Sequence, residues 1–148
     1  MAFRIFSNAF ADGGWIPPLH SCRGADISPS LEWAGAPAGT RSFALIVDDP
    51  DAPRGTWNHW LLYDIPADVH TMAQGSRAGG VGGTNDFGKV GYGGPCPPPG
   101  SPHRYYFKLY ALDVEKLAIG AGAQRVELDA AIEGHVLAEA QYMGRFQA

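Results

Sequence analysis

Apolar residues are distributed along this chain in two ways. Over about the first 113 residues they gather in short runs rich in aromatic and branched side chains, at 3–7, 42–48, 57–64 and 104–113. Each run is bounded by Gly, Pro, Asn or Asp clusters, the pattern of a strand between turns. Residues 42–47 are almost wholly apolar, which predicts a central strand covered on both faces. Alternation places Trp57, His59, Leu61 and Tyr63 on one face and Asn58, Trp60, Leu62 and Asp64 on the other. By the same period His103, Tyr105, Phe107, Leu109 and Ala111 share a face, opposite Arg104, Tyr106, Lys108 and Tyr110. Only the tail has a helical period. After an N-cap read at Asp129, apolar residues recur at Ile132, Val136, Ala140 and Met143, and Gly144 sits where a C′ glycine would. A weaker helical turn is expected over 114–118. Strands separated by Pro/Gly turns with a helix at the end predict a mainly β protein, an antiparallel β-sandwich with peripheral helices including a C-terminal one.

Length and charge narrow the class. A chain of 148 residues without repeats or a compositional break is expected to form a single domain over 1–148, with enough volume for a real core. The formal net charge of −4, with three lysines and no basic run, lacks the footprint of nucleic-acid binding. No membrane span and no export signal are read, so the expected location is cytoplasmic. A core of this size needs no covalent staple, and Cys22 and Cys96 are therefore expected to be free thiols. Gly and Pro are abundant, 20 and 12 residues, but fifteen of them lie between Gly75 and Pro102. The excess belongs to one loop rather than to a disordered chain.

Three segments carry polar groups that packing alone does not require. Asp48-Asp49-Pro50-Asp51-Ala52-Pro53 presents carboxylates at a strand end on a backbone fixed by proline. Trp57-Asn58-His59-Trp60 sets an imidazole among large apolar groups, and the glycine- and proline-rich run from Tyr92 to Pro102 delivers His103 and Tyr105 into the next strand. Imidazole, phenol and backbone N–H groups suit a small anion, with a carboxylate holding a histidine. His59, His103 and a carboxylate would equally suit a divalent metal or acid–base catalysis. The residues themselves leave all three open. His20 and Cys22 make only a lone pair of metal ligands, and Asp86-Phe87-Gly88 is a chance match to a kinase tripeptide.

At these residues the chain resembles the phosphatidylethanolamine-binding protein family, in its bacterial, Raf kinase inhibitor-like branch. The resemblance rests on Asp49-Pro50-Asp51-Ala52-Pro53, Trp57-Asn58-His59-Trp60, Gly83-Thr84-Asn85-Asp86-Phe87-Gly88 and Gly94-Pro95-Cys96-Pro97-Pro98 leading to His103-Arg104-Tyr105. It extends through Cys22-Arg23-Gly24-Ala25-Asp26 and Leu109-Tyr110-Ala111-Leu112-Asp113 to Gly134-His135-Val136. It implies two antiparallel sheets with a small anion pocket at one end, holding phosphate-like ions or phosphorylated head groups without a metal or other cofactor. Its members here would be Asp49, Asp51, His59, Gly94, Pro95, His103 and Tyr105. His59 and His103 would donate to the anion, Asp49 would orient a histidine or contact an amine, and Tyr105 would donate its phenol. Asp51 and Arg104 would brace the loops, with Trp57, Trp60, Pro95 and Cys96 at the rim. Asn58 stands where some relatives carry a second histidine.

The leading expectation is therefore a non-enzymatic binder of a small anion or phosphorylated molecule, as monomer or homodimer. One alternative is a small-molecule isomerase, cyclase or hydrolase using His59 or His103 with Asp49. Another is an inhibitor docking a kinase or protease through a surface loop.

Overall fold

The computed structural model describes residues 2–148. A small sheet holds β1 (Arg4–Phe6), β2 (Leu31–Ala34) and β5 (Thr71–Met72) in the order β1-β2-β5. A larger one holds β3 (Ser42–Asp49), β4 (Trp57–Pro66), β6 (Val81–Gly82), β7 (His103–Leu112) and β8 (Val136–Phe146) in the order β6-β4-β3-β7-β8. All pairings are antiparallel. One helix, α1, spans Arg125–Ile132.

β3 lies at the centre, and every one of its residues is buried. Phe43, Leu45 and Val47 join Trp60, Leu62, Phe107 and Leu109 in the core between the sheets, closed by Ile5, Leu31, Trp33 and Met72. Ala44 and Ile46 join Leu61 and Tyr63 on the other face, under Leu117, Ala123 and the α1 residues Leu128 and Ile132. Covering on both sides explains the unbroken apolar run, since a two-faced strand has no polar side to display. Each buried aliphatic side chain contributes about 1.5–3 kcal/mol by leaving water.

The tail departs from its helical reading. The helix starts earlier, with Gln124 as N-cap, its N–H donating to Glu127 Oε1 at 3.1 Å, and it ends at Ile132 before Gly134, whose φ is +82°. Residues 136–146 are a strand along β7, with Leu109 opposite Ala140 and Tyr105 opposite Gly144. In that segment Tyr142, Gly144 and Phe146 are buried while Leu137, Glu139 and Gln141 are exposed, a period of two. The apolar residues at three- and four-residue spacing fit a helix only because several even-numbered positions also carry them. Gly144 is no cap: a Cβ there would lie 2.5 Å from Ile16 Cγ1. Residues 114–118 form bends and no helix.

The thiols are also corrected. Cys22 and Cys96 form a disulfide with their Cα atoms 5.4 Å apart, linking positions 74 residues apart. A core of this size does not need the bond, but two loops held side by side permit it. On the chain-entropy account, closing a loop of this length stabilises the fold by about 4 kcal/mol. No helix of the described residues is long and apolar enough to cross a membrane.

Candidate functional site

β4, β3 and β7 are neighbours, so antiparallel pairing brings the end of β3 beside the starts of β4 and β7. Asp49 lies opposite Trp57, and Asp48 opposite Tyr106. The three polar motifs of the sequence therefore meet at one end of the sheet, around a cavity of about 200 Å³. Its lining includes Asp49, Trp57, His59, Cys96, His103 and Tyr105.

An irregularity in β4 sets the floor. Val47 pairs with Trp60 but Asp48 pairs with Asn58, leaving His59 as the extra residue of a β-bulge. Strict alternation would put His59 and Trp60 on opposite faces. Instead His59 meets Tyr105 edge-on at 5.1 Å, and Trp60 packs in the same inter-sheet core as Tyr105. Asn58 turns the other way, its Oδ1 accepting from Arg125 Nη1 at 2.8 Å.

Both imidazoles are held by their Nδ1 atoms. His59 Nδ1 donates to Gly93 O at 2.7 Å; a carbonyl only accepts, so this nitrogen carries the proton. His103 Nδ1 donates to Asp49 Oδ2 at 2.6 Å, and Asp49 Oδ1 accepts the N–H of Asp51 at 2.8 Å. One carboxylate thus both closes the turn after β3 and fixes an imidazole. The Nε2 atoms of both rings have no protein partner among the described residues. Tyr105 stacks on His103 at 6.5 Å, and its buried hydroxyl is unpartnered. Burial raises the Tyr105 phenol above its usual range, with the Asp49 charge adding to the effect, so it stays a donor. Burial lowers the pKa of His59, partly offset by the Gly93 carbonyl and the Asp49 carboxylate.

The collar is apolar: Ala52, Pro53, Phe87, Pro97 and Pro98 join Trp57. Phe87 stands edge-on to both His59, at 5.3 Å, and Trp57, at 5.5 Å. Buried Asn85 holds its turn, Oδ1 accepting from the N–H groups of Phe87 and Lys89 at 2.9 and 3.1 Å. Neither the individual importance of Phe87 nor that of Pro53, Pro97 and Pro98 was foreseen. The signal available was Asn85 two residues before an aromatic residue and three before Gly88, a turn that displays a ring.

Other sequence candidates stand behind the cavity. Asp51 takes Arg104 Nε and Nη2 at 2.9 and 2.8 Å and the Arg104 N–H at 2.9 Å, so it braces the start of β7. The guanidinium beside it holds its carboxyl below the usual range. Gly94 N–H donates to Asp26 Oδ1 at 2.8 Å, and Pro95 O accepts from Cys22 N–H at 3.1 Å. Their backbone is committed to the 20–26 loop, not to the cavity. Trp60 is only 2% exposed, packed edge-on against Tyr92, and forms no rim. The described residues contain no cluster of three or more potential metal ligands. His20 Nδ1 is instead paired with Ile27 O at 2.8 Å.

A two-sheet antiparallel sandwich with one peripheral helix and a small imidazole-floored cavity at one end of a sheet is a well-defined class of protein. Over residues 6–147 the chain matches the family model for the phosphatidylethanolamine-binding protein, and it belongs to that family. It is 46% identical to a UPF0098 protein of Aquifex aeolicus, an alignment covering 97% of this chain and 87% of the relative. A UPF0098 protein of Methanothermobacter thermautotrophicus is 45% identical over 95% of this chain and 96% of its own. Among solved structures, a phosphatidylethanolamine-binding protein homologue of Chlamydia trachomatis superposes with a TM-score of 0.94 at 40% identity, covering 99% of this chain and 98% of that one. Escherichia coli YbcL, a member of the same family, has a TM-score of 0.94 at 35% identity over 100% and 99% of the two chains.

Proposed function

We propose that the cavity binds a small anion or the phosphate of a phosphorylated small molecule, and that the protein works as a binding module. The observation that carries this is that His59, His103 and Tyr105 line one apolar-walled cavity, both imidazoles being held through Nδ1 and the buried Tyr105 hydroxyl having no hydrogen-bond partner. A buried hydroxyl without a partner costs about 1–3 kcal/mol, which a bound oxyanion would relieve. At about 200 Å³ the cavity is smaller than a drug-sized site and has no room for two acyl chains, so a head group is the largest part of a lipid it would take. Titration calorimetry with inorganic phosphate tests this. His59→Ala and His103→Ala are each expected to weaken binding about tenfold or more, the worth of one charge-assisted hydrogen bond. Absence of binding by the unaltered protein, or affinity unchanged in both variants, defeats the proposal.

Protonation gives an independent check. With its pKa lowered, His59 is short of the second proton that an anion would want at Nε2. An anion there favours the imidazolium, so the complex holds more protons than the free protein. Affinity for sulfate, whose own charge is constant over the range, is therefore expected to rise as pH falls from about 8 to 5. A cavity serving a metal cation would show the opposite slope, because protons compete for Nε2.

The Asp49–His103 contact favours a second reading, acid–base chemistry on a small substrate, because a carboxylate on Nδ1 orients Nε2 for proton transfer. The disulfide removes Cys96 as a nucleophile. Turnover of any substrate that survives in His103→Ala would reject His103 as its acid or base.

A further inference from the structure

We propose that the Cys22–Cys96 disulfide is a redox gate on the cavity, opened by a dithiol reductant; the inference rests on reading the cavity as an anion site. Both cysteines are exposed, yet Cys96 also lines the cavity, immediately before the wall residues Pro97 and Pro98. The disulfide thus joins two solvent-exposed residues, one of which also belongs to the cavity lining.

The bond divides the loop into two regions of unequal support. Before Cys96 the backbone is held without help from the sulfurs: Tyr92 Oη donates to His20 O at 2.6 Å, Gly94 N–H to Asp26 Oδ1, and Cys22 N–H to Pro95 O. Gly93 O, which fixes His59, lies within that region. Between Cys96 and His103 a single hydrogen bond to the rest of the protein is made among the described residues, from Gln147 Nε2 to Gly100 O at 2.6 Å. Breaking the disulfide therefore frees the wall over 97–102 while leaving the His59 side of the floor tied. A site whose competent form is only partly populated binds more weakly by that fraction.

The chemistry balances as thiol–disulfide exchange. A thiolate of the dithiol attacks one Sγ, the protein S–S bond breaks, and the other cysteine leaves as a thiolate that takes a proton. The second thiol of the reductant then attacks the mixed disulfide. Two electrons and two protons pass to the protein, giving two thiols, and the dithiol becomes its cyclic disulfide.

The test compares phosphate affinity, by calorimetry, for the oxidised chain, for the chain reduced with dithiothreitol and its thiols titrated, for the re-oxidised chain, and for Cys22→Ser/Cys96→Ser. Reduced and doubly substituted proteins are expected to keep the fold by circular dichroism and to bind phosphate about threefold to tenfold more weakly, with affinity restored on re-oxidation. Equal affinity in oxidised and reduced protein overturns the gate while leaving the anion site standing. So does resistance of the folded protein to dithiothreitol, or global unfolding on reduction. If the oxidised protein binds no phosphate, the anion reading fails instead, and backbone ¹⁵N relaxation of Gly100 and Ser101, the two residues of 97–102 that carry an N–H, then decides the gate: unchanged order on reduction overturns it.

Discussion

Gly94→Ala is expected to cost about 3–5 kcal/mol of stability, combining overpacking with the loss of one or two hydrogen bonds. A Cβ at this position would stand 2.1 Å from His20 O and 2.4 Å from Asp26 Oδ1, and the first of these is backbone that cannot swing aside. The 93–95 segment would have to lift off the 20–26 loop. Gly94 N–H would then leave Asp26, and Pro95 O would leave Cys22 N–H. Gly93 O would shift with them, releasing His59, so binding should weaken along with stability. For a domain of this size the thermal midpoint should fall by roughly 10 °C or more. Gly120→Ala is the control: nothing lies within 4 Å of its Cβ, and the change should stay within about 0.5 kcal/mol. Equal denaturation midpoints for the two variants would refute the assignment of Gly94 as a close-approach glycine.

Asp48→Ala is expected to cost about 3 kcal/mol, for a different reason. Asp48 is 2% exposed, and its Oδ2 accepts from Lys108 Nζ and Arg125 Nη1, both at 3.0 Å. Arg125 also reaches Asn58 and Asp129, so this carboxylate anchors the first turn of α1 to β3 and β4. Truncation leaves two cations facing a site with one carboxylate fewer. Both cations are about a quarter exposed, with side-chain values of 29% and 24%, which keeps the loss at the lower end for a broken buried pair. Asp48→Asn should fall between, since the amide oxygen still accepts while the charge is gone. Urea midpoints measure both, and a loss under about 1 kcal/mol for Asp48→Ala would show that solvent replaces the carboxylate.

Strands were legible where one rule governed a whole segment. Along β7 the buried residues His103, Tyr105, Phe107, Leu109 and Ala111 alternate without a break, so the face predicted for them is the face observed. β3 was legible because both its faces are covered. The tail was misread because Val136 and Ala140, four residues apart, satisfy two periods at once, and the pairing of β8 with β7, a long-range contact, decides between them. The polar floor of the site was legible as residue types. Its geometry was not, because the bulge at His59 depends on how β4 meets β3 rather than on any local signature. Nor was the disulfide, since domain size bears on whether a staple is needed and not on whether two loops lie together. The glycine- and proline-rich loop was half legible. Its abundance of glycine marks the segment, but the need for Gly93 and Gly94 comes from the close approach of the Phe87 ring and the His20 carbonyl, which local sequence does not reveal.

The division of labour at this end of the sheet has an engineering consequence. Asp49, His59, His103 and Tyr105 belong to strands β3, β4 and β7 and are fixed by strand pairing, whereas Ala52, Pro53, Phe87, Pro97 and Pro98 sit in intervening loops. If the cavity takes an anion as proposed, recognition of charge and selection by size fall on different parts of the chain. Loops of altered length or composition can be grafted at 52–56 or 97–102, provided that Asp51 stays to brace Arg104 at the start of β7 and Asp86 stays to hold Asn58 in β4. The scaffold would let libraries vary which molecule enters while holding constant the group that grips it.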